Sequence, residues 1–517
     1  MPVRLRLALG SLLALLAGAA MPLAYAPFGL WPLALLLPAV LLWLWERAAT
    51  PHQAAWWGWC FGLGWFAVGI SWIYISLHRY GHAPAAFAAL STAVVILLMS
   101  LYPAVAGWLL ARLTRPGALR WLVAAPALWV LLEWVRSWLF TGFPWLSPGY
   151  SQTDSPLAGY APLVGVYGLG GLVWLSAGLV RALGPPPGAG QQRGQWLRRA
   201  WPALSGLVAL WLGGWLLARV EWVEPAGAAL KIALVQGNIA QDEKFAPEQL
   251  DRTLRLYAAL SLNDASGSQI IVWPETAIPA FYDDVLPYIE GLRAEALSSG
   301  TDYLTGVAAG SWDSGVFYNA VVAIGQDEGF YYKRRLLAFG EYLPLRGLLT
   351  FFRDFVEIPM ADFTPGAREQ TPLKVGGQPV GVSICFEAAF GSEIRLALPQ
   401  ARFLVNVSND AWFGESLAPH QHLQIARMRA IEARRWMARA TNTGISALID
   451  ERGRLVAASG LFTTTVVKGE VRPLQGATPY VRWGDWPALG LGGVGLVLSL
   501  SLSRKREMGT QSLRDYT

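Results

Sequence analysis

The chain predicts an α-helical membrane bundle of eight transmembrane helices that carries one large extramembrane α/β domain. Three observations predict it. Hydrophobic residues make up 54% of the 517 positions, with 26 Trp and a mean hydropathy of +0.36, a balance that belongs to membrane proteins. Apolar blocks, most of them near the ~20 residues that a spanning helix needs, recur before residue 220 and once more after residue 485. Between those two regions the pattern changes, and from "ALKIALVQGN" onward short apolar runs alternate with amphipathic stretches.

The apolar blocks fall at residues 5–20, 27–45, 55–77, 85–111, 121–140, 161–182, 201–219 and 486–503. Helices one to seven therefore occupy 1–220, the external segment 221–484, the eighth helix 485–505 and a cytoplasmic tail 506–517. Basic residues orient them. Arg4 and Arg6, Arg47, the group Arg112, Arg115 and Arg120, the group Arg181, Arg193, Arg198 and Arg199, and finally Arg504, Lys505 and Arg506 all fall on one side, which the positive-inside bias makes cytoplasmic. The opposite loops carry almost no basic residues, Arg79 being the exception. An odd number of spans then puts 221–484 on the far side of the membrane. The net charge of +6 is mostly this topological bias and gives no argument for nucleic acid.

"MPVRLRLALGSLLALLAGAAMPLAYA" also has the basic start, apolar centre and small-residue sites of a cleavable leader. Retention as the first span is preferred, and removal leaves the external segment on the same side. "GPPPGAGQQRGQ" (184–195) reads as a flexible loop, and the tail after Lys505 as disordered. Glu133 and Arg136, three apart in the fifth span, are expected to pair, because a lone charge there is costly.

In the external segment, "SQIIVWPE", "DYLTGVAAG", "VFYNAVVAIG", "PVGVSICFE", "ARFLVNVSND" and "ISALID" read as strands. "PEQLDRTLRLYAALSL", "VLPYIEGLRAEALSS" and "HLQIARMRAIEARRWMARA" carry helical spacing. Apolar strands separated by such helices argue for a sheet covered by helices. Ligand sites in such domains form beyond the carboxyl ends of strands. Three strand ends or the loops after them hold candidates: Glu275 in "IIVWPETAIP", Lys333 and Glu341 in "YYKRRLLAFGEYLP", and Cys385 with Glu387 in "VSICFEAAF".

Singly, each has an ordinary explanation: a solvated carboxylate, a basic run, a small buried thiol. Together they form a chemical set. A thiol with a pKa of about 8.5 is mostly protonated at neutral pH, so an attacking cysteine needs a proton acceptor or a nearby cation. Glutamate supplies the first and lysine the second. Sulfur attack on a carbonyl creates an oxyanion, which an ammonium and a backbone N–H would stabilise. Glu275, Lys333 and Cys385 thus suffice for acyl transfer through a thioester, with no histidine required. No metal-binding spacing or phosphate-binding glycine loop is present, so no cofactor is expected. Cys60, inside the third span, has no route to a disulfide with Cys385.

"WPETAIP", "YYKRRLLAFGE" and "ICFE" resemble the Glu-Lys-Cys motifs of the nitrilase superfamily, in the same order. A nitrilase-like domain between the seventh and eighth of eight spans resembles the apolipoprotein N-acyltransferase family, as do "TGFPWLSPGYSQ", "VQGNIAQDEKF", "FGEYLP", "SNDAWFG" and "QIARMRAIEARRWMARATNTGIS". The resemblance implies a four-layer αββα sandwich facing the periplasm from a bacterial inner membrane. It also implies acyl transfer from a membrane phospholipid, by way of a Cys385 thioester, to the α-amine of a diacylglyceryl-cysteine on an apolipoprotein. Glu275 would move the proton and Lys333 would hold the oxyanion, with Glu341 and Glu387 supporting Lys333. Family members often carry Trp near Phe245 and Tyr near Phe386, so two substrate-side aromatics differ in this chain. Trp412, Trp145 and Tyr150 are further candidates for lining the lipid path, although an interfacial aromatic belt explains Trp145 equally well. The other readings are a membrane-tethered amidase with the same three groups and a non-catalytic scaffold in which Cys385 is inert.

Overall fold

The computed structural model describes residues 3–184, 193–311, 315–342 and 363–514. The loop expected over 184–195 falls mostly outside them. The chain divides into two compact units, one formed by Met1–Ser71, Leu90–Val220 and Asp485–Thr517, the other by Trp72–Ala89 and Glu221–Gly484.

Each apolar block contains a helix, although residues 28–32 and 70–71 within the blocks are not helical. Val3–Ala20, Leu33–Glu46, Pro51–Gly69, Ala85–Leu113, Ala125–Arg136, Ala161–Leu183, Arg193–Leu217 and Trp486–Arg514 are the main segments. Among the described residues, five helices are long and apolar enough to cross a membrane, or six if Pro51–Gly69 and Trp72–Tyr80 count as one bent span. Leu33–Glu46 is apolar but has only 14 residues. The last helix continues to Arg514, where disorder was expected beyond Lys505, because "REMGTQSLR" holds several good helix formers and no proline.

The outward faces are apolar, with Leu90, Val208, Leu491 and Val494 all well exposed, as suits helices surrounded by lipid. Association then depends on close approach of small residues. Gly18 lies so near the Phe61 carbonyl that a Cβ would come within 1.9 Å of it, and Gly64 stands in the same relation to the Leu15 carbonyl at 2.1 Å. The expected pair is formed, with Arg136 Nη2 2.8 Å from Glu133 Oε1. Arg136 also donates to the Trp145 carbonyl at 2.6 Å and to Ser147 Oγ at 3.1 Å, which ties the following loop to the helix.

The second unit contains β1 (Val223–Pro225), β2 (Leu230–Gln236), β3 (Ile270–Val272), β4 (Ile278–Phe281), β5 (Asp302–Ser311), β6 (Val316–Ile324), β7 (Gly329–Tyr332), β8 (Leu373–Val375), β9 (Gln378–Ile384), β10 (Phe403–Ser408), β11 (Met437–Thr441), β12 (Ala447–Ile449), β13 (Leu455–Ala458), β14 (Thr465–Val471) and β15 (Leu474–Gly476). One sheet runs β14-β2-β3-β5-β6-β7 with β4 beside β5, the other β13-β12-β11-β10-β9-β8, and β1 pairs with β15. The centre of each sheet is parallel, β2-β3-β5 in one and β9-β10-β11 in the other.

Side-chain alternation explains the layers. On β2, Ala233 and Val235 pack with Leu254 and Tyr257 of helix Leu250–Asn263 and with Ile289 of helix Leu286–Ser299. The intervening Ile232 and Leu234 are equally buried, on the opposite face of the strand. On the other sheet, Leu404 and Met437 pack with Leu423, Ala426 and Ala430 of helix Ala418–Ala433. Strands buried on both faces read as the continuous apolar runs seen in the sequence. Leu448 on β12 meets Gly469 on β14 between the sheets, so the order is helices, sheet, sheet, helices. This is the expected αββα sandwich.

One expected helix is shorter than its pattern. "HLQIARMRAIEARRWMARA" suggests helix through residue 440, yet it stops at Ala433, Arg434 turns left-handed at φ 49°, and Met437–Thr441 becomes β11. Parallel pairing with β10 satisfies the backbone that the helix would have satisfied. Arg435 anchors the turn by donating to the Ala401 and Gly476 carbonyls at 3.0 and 2.7 Å.

Candidate active site

The carboxyl ends of three strands supply the site. Glu275 follows β3, Lys333 directly follows β7 and Cys385 directly follows β9. Two of these exits are strained. Cys385 has φ 52° and Thr276, next to Glu275, has φ 49°, conformations that persist in a non-glycine residue only where the surroundings hold them.

Lys333 is the hub. Its Nζ lies 2.8 Å from Glu341 Oε2 and 3.4 Å from Glu275 Oε1. Asn319, from the middle of β6, donates its amide to Glu275 Oε1 and Glu341 Oε1, both at 2.8 Å, and the Asn409 backbone N–H donates to Glu275 Oε2 at 2.8 Å. All of these side chains are buried. Burial opposes charge on Glu275, but Lys333 and the Asn319 and Asn409 hydrogen bonds outweigh it and hold the carboxyl below its usual range. Burial likewise opposes charge on Lys333, and the Glu341 and Glu275 carboxylates more than reverse it. The pair is therefore ionised across the neutral range.

Cys385 belongs to the same group, since its thiol feels both Glu275 and Lys333. Burial, then the Glu275 carboxylate, push it well above the ordinary thiol range, against the pull of Lys333. A resting thiol beside an ionised carboxylate is the arrangement for general-base activation at the moment of attack, rather than for a preformed thiolate.

The turn carrying the cysteine is fixed on both sides. Glu387 Oε2 accepts from the Ile384 N–H at 2.7 Å and from the Tyr331 hydroxyl at 2.9 Å, while Oε1 accepts from the Arg334 N–H at 2.7 Å and the Arg335 N–H at 3.1 Å. Glu387 thus joins the Cys385 turn to the backbone just after Lys333, instead of touching the ammonium as Glu341 does. Burial raises its pKa. Behind the cysteine, His422 Nε2 is 3.2 Å from the Cys385 carbonyl. Its Nδ1 is 2.9 Å from Asp410 Oδ1 and 3.1 Å from Arg439 Nη2, and Arg439 pairs with Asp410 Oδ2 at 2.8 Å. The ring thus bridges the Asp410 carboxylate and the Cys385 carbonyl, and burial lowers its pKa.

The aromatic candidates are distributed. Phe386 is buried next to Cys385 and meets Phe390 edge-on at 5.1 Å. Phe245 is half-buried in the loop after β2. Trp412 is half-buried, and its carbonyl accepts from Ser76 Oγ at 2.8 Å. Trp145 and Tyr150 are buried in the helical unit. Among the described residues no group of three or more His, Cys, Asp or Glu side chains is placed to hold a metal ion.

Comparison with known proteins decides the family. Residues 17–179 match the family described as apolipoprotein N-acyltransferase N-terminal domain, and residues 231–480 match carbon-nitrogen hydrolase. The apolipoprotein N-acyltransferase of Methylococcus capsulatus is 45% identical over 93% of this chain and 94% of its own length. Those of Nitrosomonas europaea and Azotobacter vinelandii are 42% and 44% identical, over 92% and 96% of this chain and 93% and 95% of theirs. The chain belongs to the apolipoprotein N-acyltransferase family. It is accordingly a multi-pass membrane N-acyltransferase with a carbon-nitrogen hydrolase domain, as the resemblance implied.

In this N-acyltransferase family member, several groups around Glu275, Lys333 and Cys385 were not singled out from the sequence. Asn319 reads as a polar interruption of an apolar strand, and an amide inside "VFYNAVVAIG" was the available signal. Asn409 and Asp410 stand in "SNDAWFG", and His422 in a helix with no distinguishing pattern. Lys244 carried no signal, because "QDEKF" reads as a solvated run.

Proposed function

We propose that the chain transfers an acyl group from a membrane phospholipid to the α-amine of the N-terminal diacylglyceryl-cysteine of an apolipoprotein, through a thioester on Cys385. The observation that carries this reading is the Lys333 ammonium between Glu275 and Glu341, beside a strained Cys385 at the end of β9. In the first half-reaction Glu275 takes the thiol proton as sulfur attacks the ester carbonyl. Lys333 and backbone N–H groups near Cys385 hold the oxyanion, a contribution of several kcal/mol. The S–C bond forms, the C–O bond breaks, and Glu275 returns the proton to the departing lysophospholipid oxygen. In the second half the amine attacks the thioester, Glu275 accepts its proton, and the thiolate leaves and is reprotonated. The product is an amide, so the step runs downhill.

Water competes for the thioester, which gives the membrane a chemical purpose. Both substrates carry acyl chains and reach the site by lateral diffusion. Phe245, Phe386, Trp412, Trp145 and Tyr150 are proposed to line the lipid path. The reading includes eight spans, a bacterial inner membrane and a periplasmic catalytic domain, supported by the arginine asymmetry of the loops.

Incubation with radiolabelled phospholipid should leave label on Cys385 that hydroxylamine removes, and the label should pass to an added diacylated lipopeptide. Rapid hydrolysis without an amine acceptor would indicate an amidase-like enzyme, and no adduct would indicate a scaffold. Full lipopeptide acylation by Cys385→Ser would overturn the nucleophile assignment.

A further inference from the structure

A second buried ammonium reaches Glu275, at its backbone carbonyl where Lys333 reaches its carboxylate. Lys244 lies in the turn after β2, closed by its own N–H donating to the Ala240 carbonyl at 3.0 Å, and its side chain is only 2% exposed. The neighbouring Asp242 and Glu243 are exposed, so Lys244 points inward while its acidic neighbours face out. Its Nζ donates to the Glu275 backbone carbonyl at 3.0 Å. An ammonium has three donors, and among the described residues this is the single hydrogen bond it makes. The same turn is tied to the carboxylate through Gln241 Oε1, which accepts from Asn409 Nδ2 at 2.7 Å, while the Asn409 N–H donates to Glu275 Oε2.

We propose that Lys244 is a positioning residue for the acylation of Cys385, holding the Glu275 backbone in place and supplying the second positive charge that the buried site requires. This rests on the general-base role given to Glu275 above. Two physical needs converge on it. Glu275 and Glu341 are two carboxylates against one Lys333 ammonium, and an unbalanced buried charge is costly. Lys244 restores neutrality, so Glu275 stays ionised and able to accept a proton. In addition, the Lys244 bond grips the peptide between Glu275 and Thr276, where the left-handed φ of 49° needs an external hold.

The titratable groups facing Lys244 are Glu275 and Cys385, with Lys333 beyond Glu275; Asp242 and Glu243 flank it on its own turn. Burial lowers Lys244 to about 8, against the pull of Glu275 and Cys385. Loss of its charge therefore falls within an accessible pH range.

The test uses the full-length protein in phospholipid nanodiscs, with the rate of hydroxylamine-sensitive acylation of Cys385 measured from pH 6 to 9.5 and the unfolding midpoint measured alongside. Wild type should lose rate as pH passes about 8, Lys244→Met should be roughly tenfold or more slower at pH 7 and lack that alkaline limb, and Lys244→Arg should recover most of the rate with the limb moved upward. Wild-type rate and profile in Lys244→Met overturns the proposal. If Lys244→Met does not fold, an alkaline limb in Lys244→Arg unchanged from wild type overturns it equally. Absence of any adduct on wild-type Cys385 removes the thioester reading itself, whereas an adduct insensitive to Lys244 removes this inference alone.

Discussion

Lys333 sits astride Glu341, with Nζ 2.9 Å from Oε1 and 2.8 Å from Oε2, closer than to Glu275 at 3.4 Å. The shorter contacts hold the cation, and the longer one goes to Glu275. This geometry separates the acid that grips Lys333 most closely from the acid that also accepts from the Asn409 N–H.

Replacing Lys333 by Met leaves Glu275 and Glu341 facing the same buried space with no cation between them. Loss of one partner from a buried pair typically costs about 3–5 kcal/mol. Chemical denaturation of Lys333→Met should show a loss of that order, and acyl-enzyme formation should fall by about 10²-fold or more as oxyanion stabilisation disappears.

Gly306 on β5 packs directly under the segment Pro274–Thr276. A Cβ there would come within 2.4 Å of the Thr276 N and 2.7 Å of the Glu275 Cα, so no side chain fits unless that segment moves. Gly306→Ala should lower kcat more than it changes KM, because a displacement of about 1 Å at a reacting group costs on the order of 10²-fold. A steady-state comparison with the lipopeptide acceptor checks this.

The Asp410–Arg439 pair behind Cys385 is fully buried, and burial is overcome by Arg439 and His422, which hold the Asp410 carboxyl well below its usual range. Asp410→Ala strands the Arg439 charge and removes the support for the ring that holds the Cys385 carbonyl. Stability should fall by about 3–5 kcal/mol, measured by denaturant unfolding. Arg439→Lys should retain part of it, because a point charge replaces a fork.

For Cys385 the sign of the pH effect is set by its neighbours. Burial first, and Glu275 second, raise the thiol's pKa, so iodoacetamide modification should still be accelerating at pH 9.5 instead of levelling near the ordinary thiol value of about 8.5. Glu275→Gln removes the negative neighbour while Lys333 remains. Alkylation at pH 8 should then become faster even as acylation from phospholipid is lost. An unchanged alkylation profile would show that Glu275 does not face the sulfur.

The apolar blocks, the strand runs and the three motif residues were legible because each is a local signal. Glu275, Lys333 and Cys385 all stand at or just beyond strand ends, where α/β chemistry belongs. Asn319 and Lys244 were not legible, since the first is a polar residue on a strand and the second sits in a charged run. Only their distances to Glu275, 2.8 Å for the Asn319 amide to its carboxylate and 3.0 Å for the Lys244 ammonium to its carbonyl, mark them as part of the site.

Residues 434–440 show the same division in the backbone. Helical spacing runs through them, yet Met437–Thr441 is a strand because β10 offers a parallel partner that lies far away in sequence. From the chain alone came the membrane half, the α/β character of the external segment and the residue set Glu275, Lys333 and Cys385, all of which rest on periodicity and residue type. Tertiary structure decided which acid grips Lys333 most closely, which amides hold the Glu275 carboxylate, how the Cys385 turn is held and where a second cation enters. Those are properties of distance and burial between segments remote along the chain, and no local pattern encodes them.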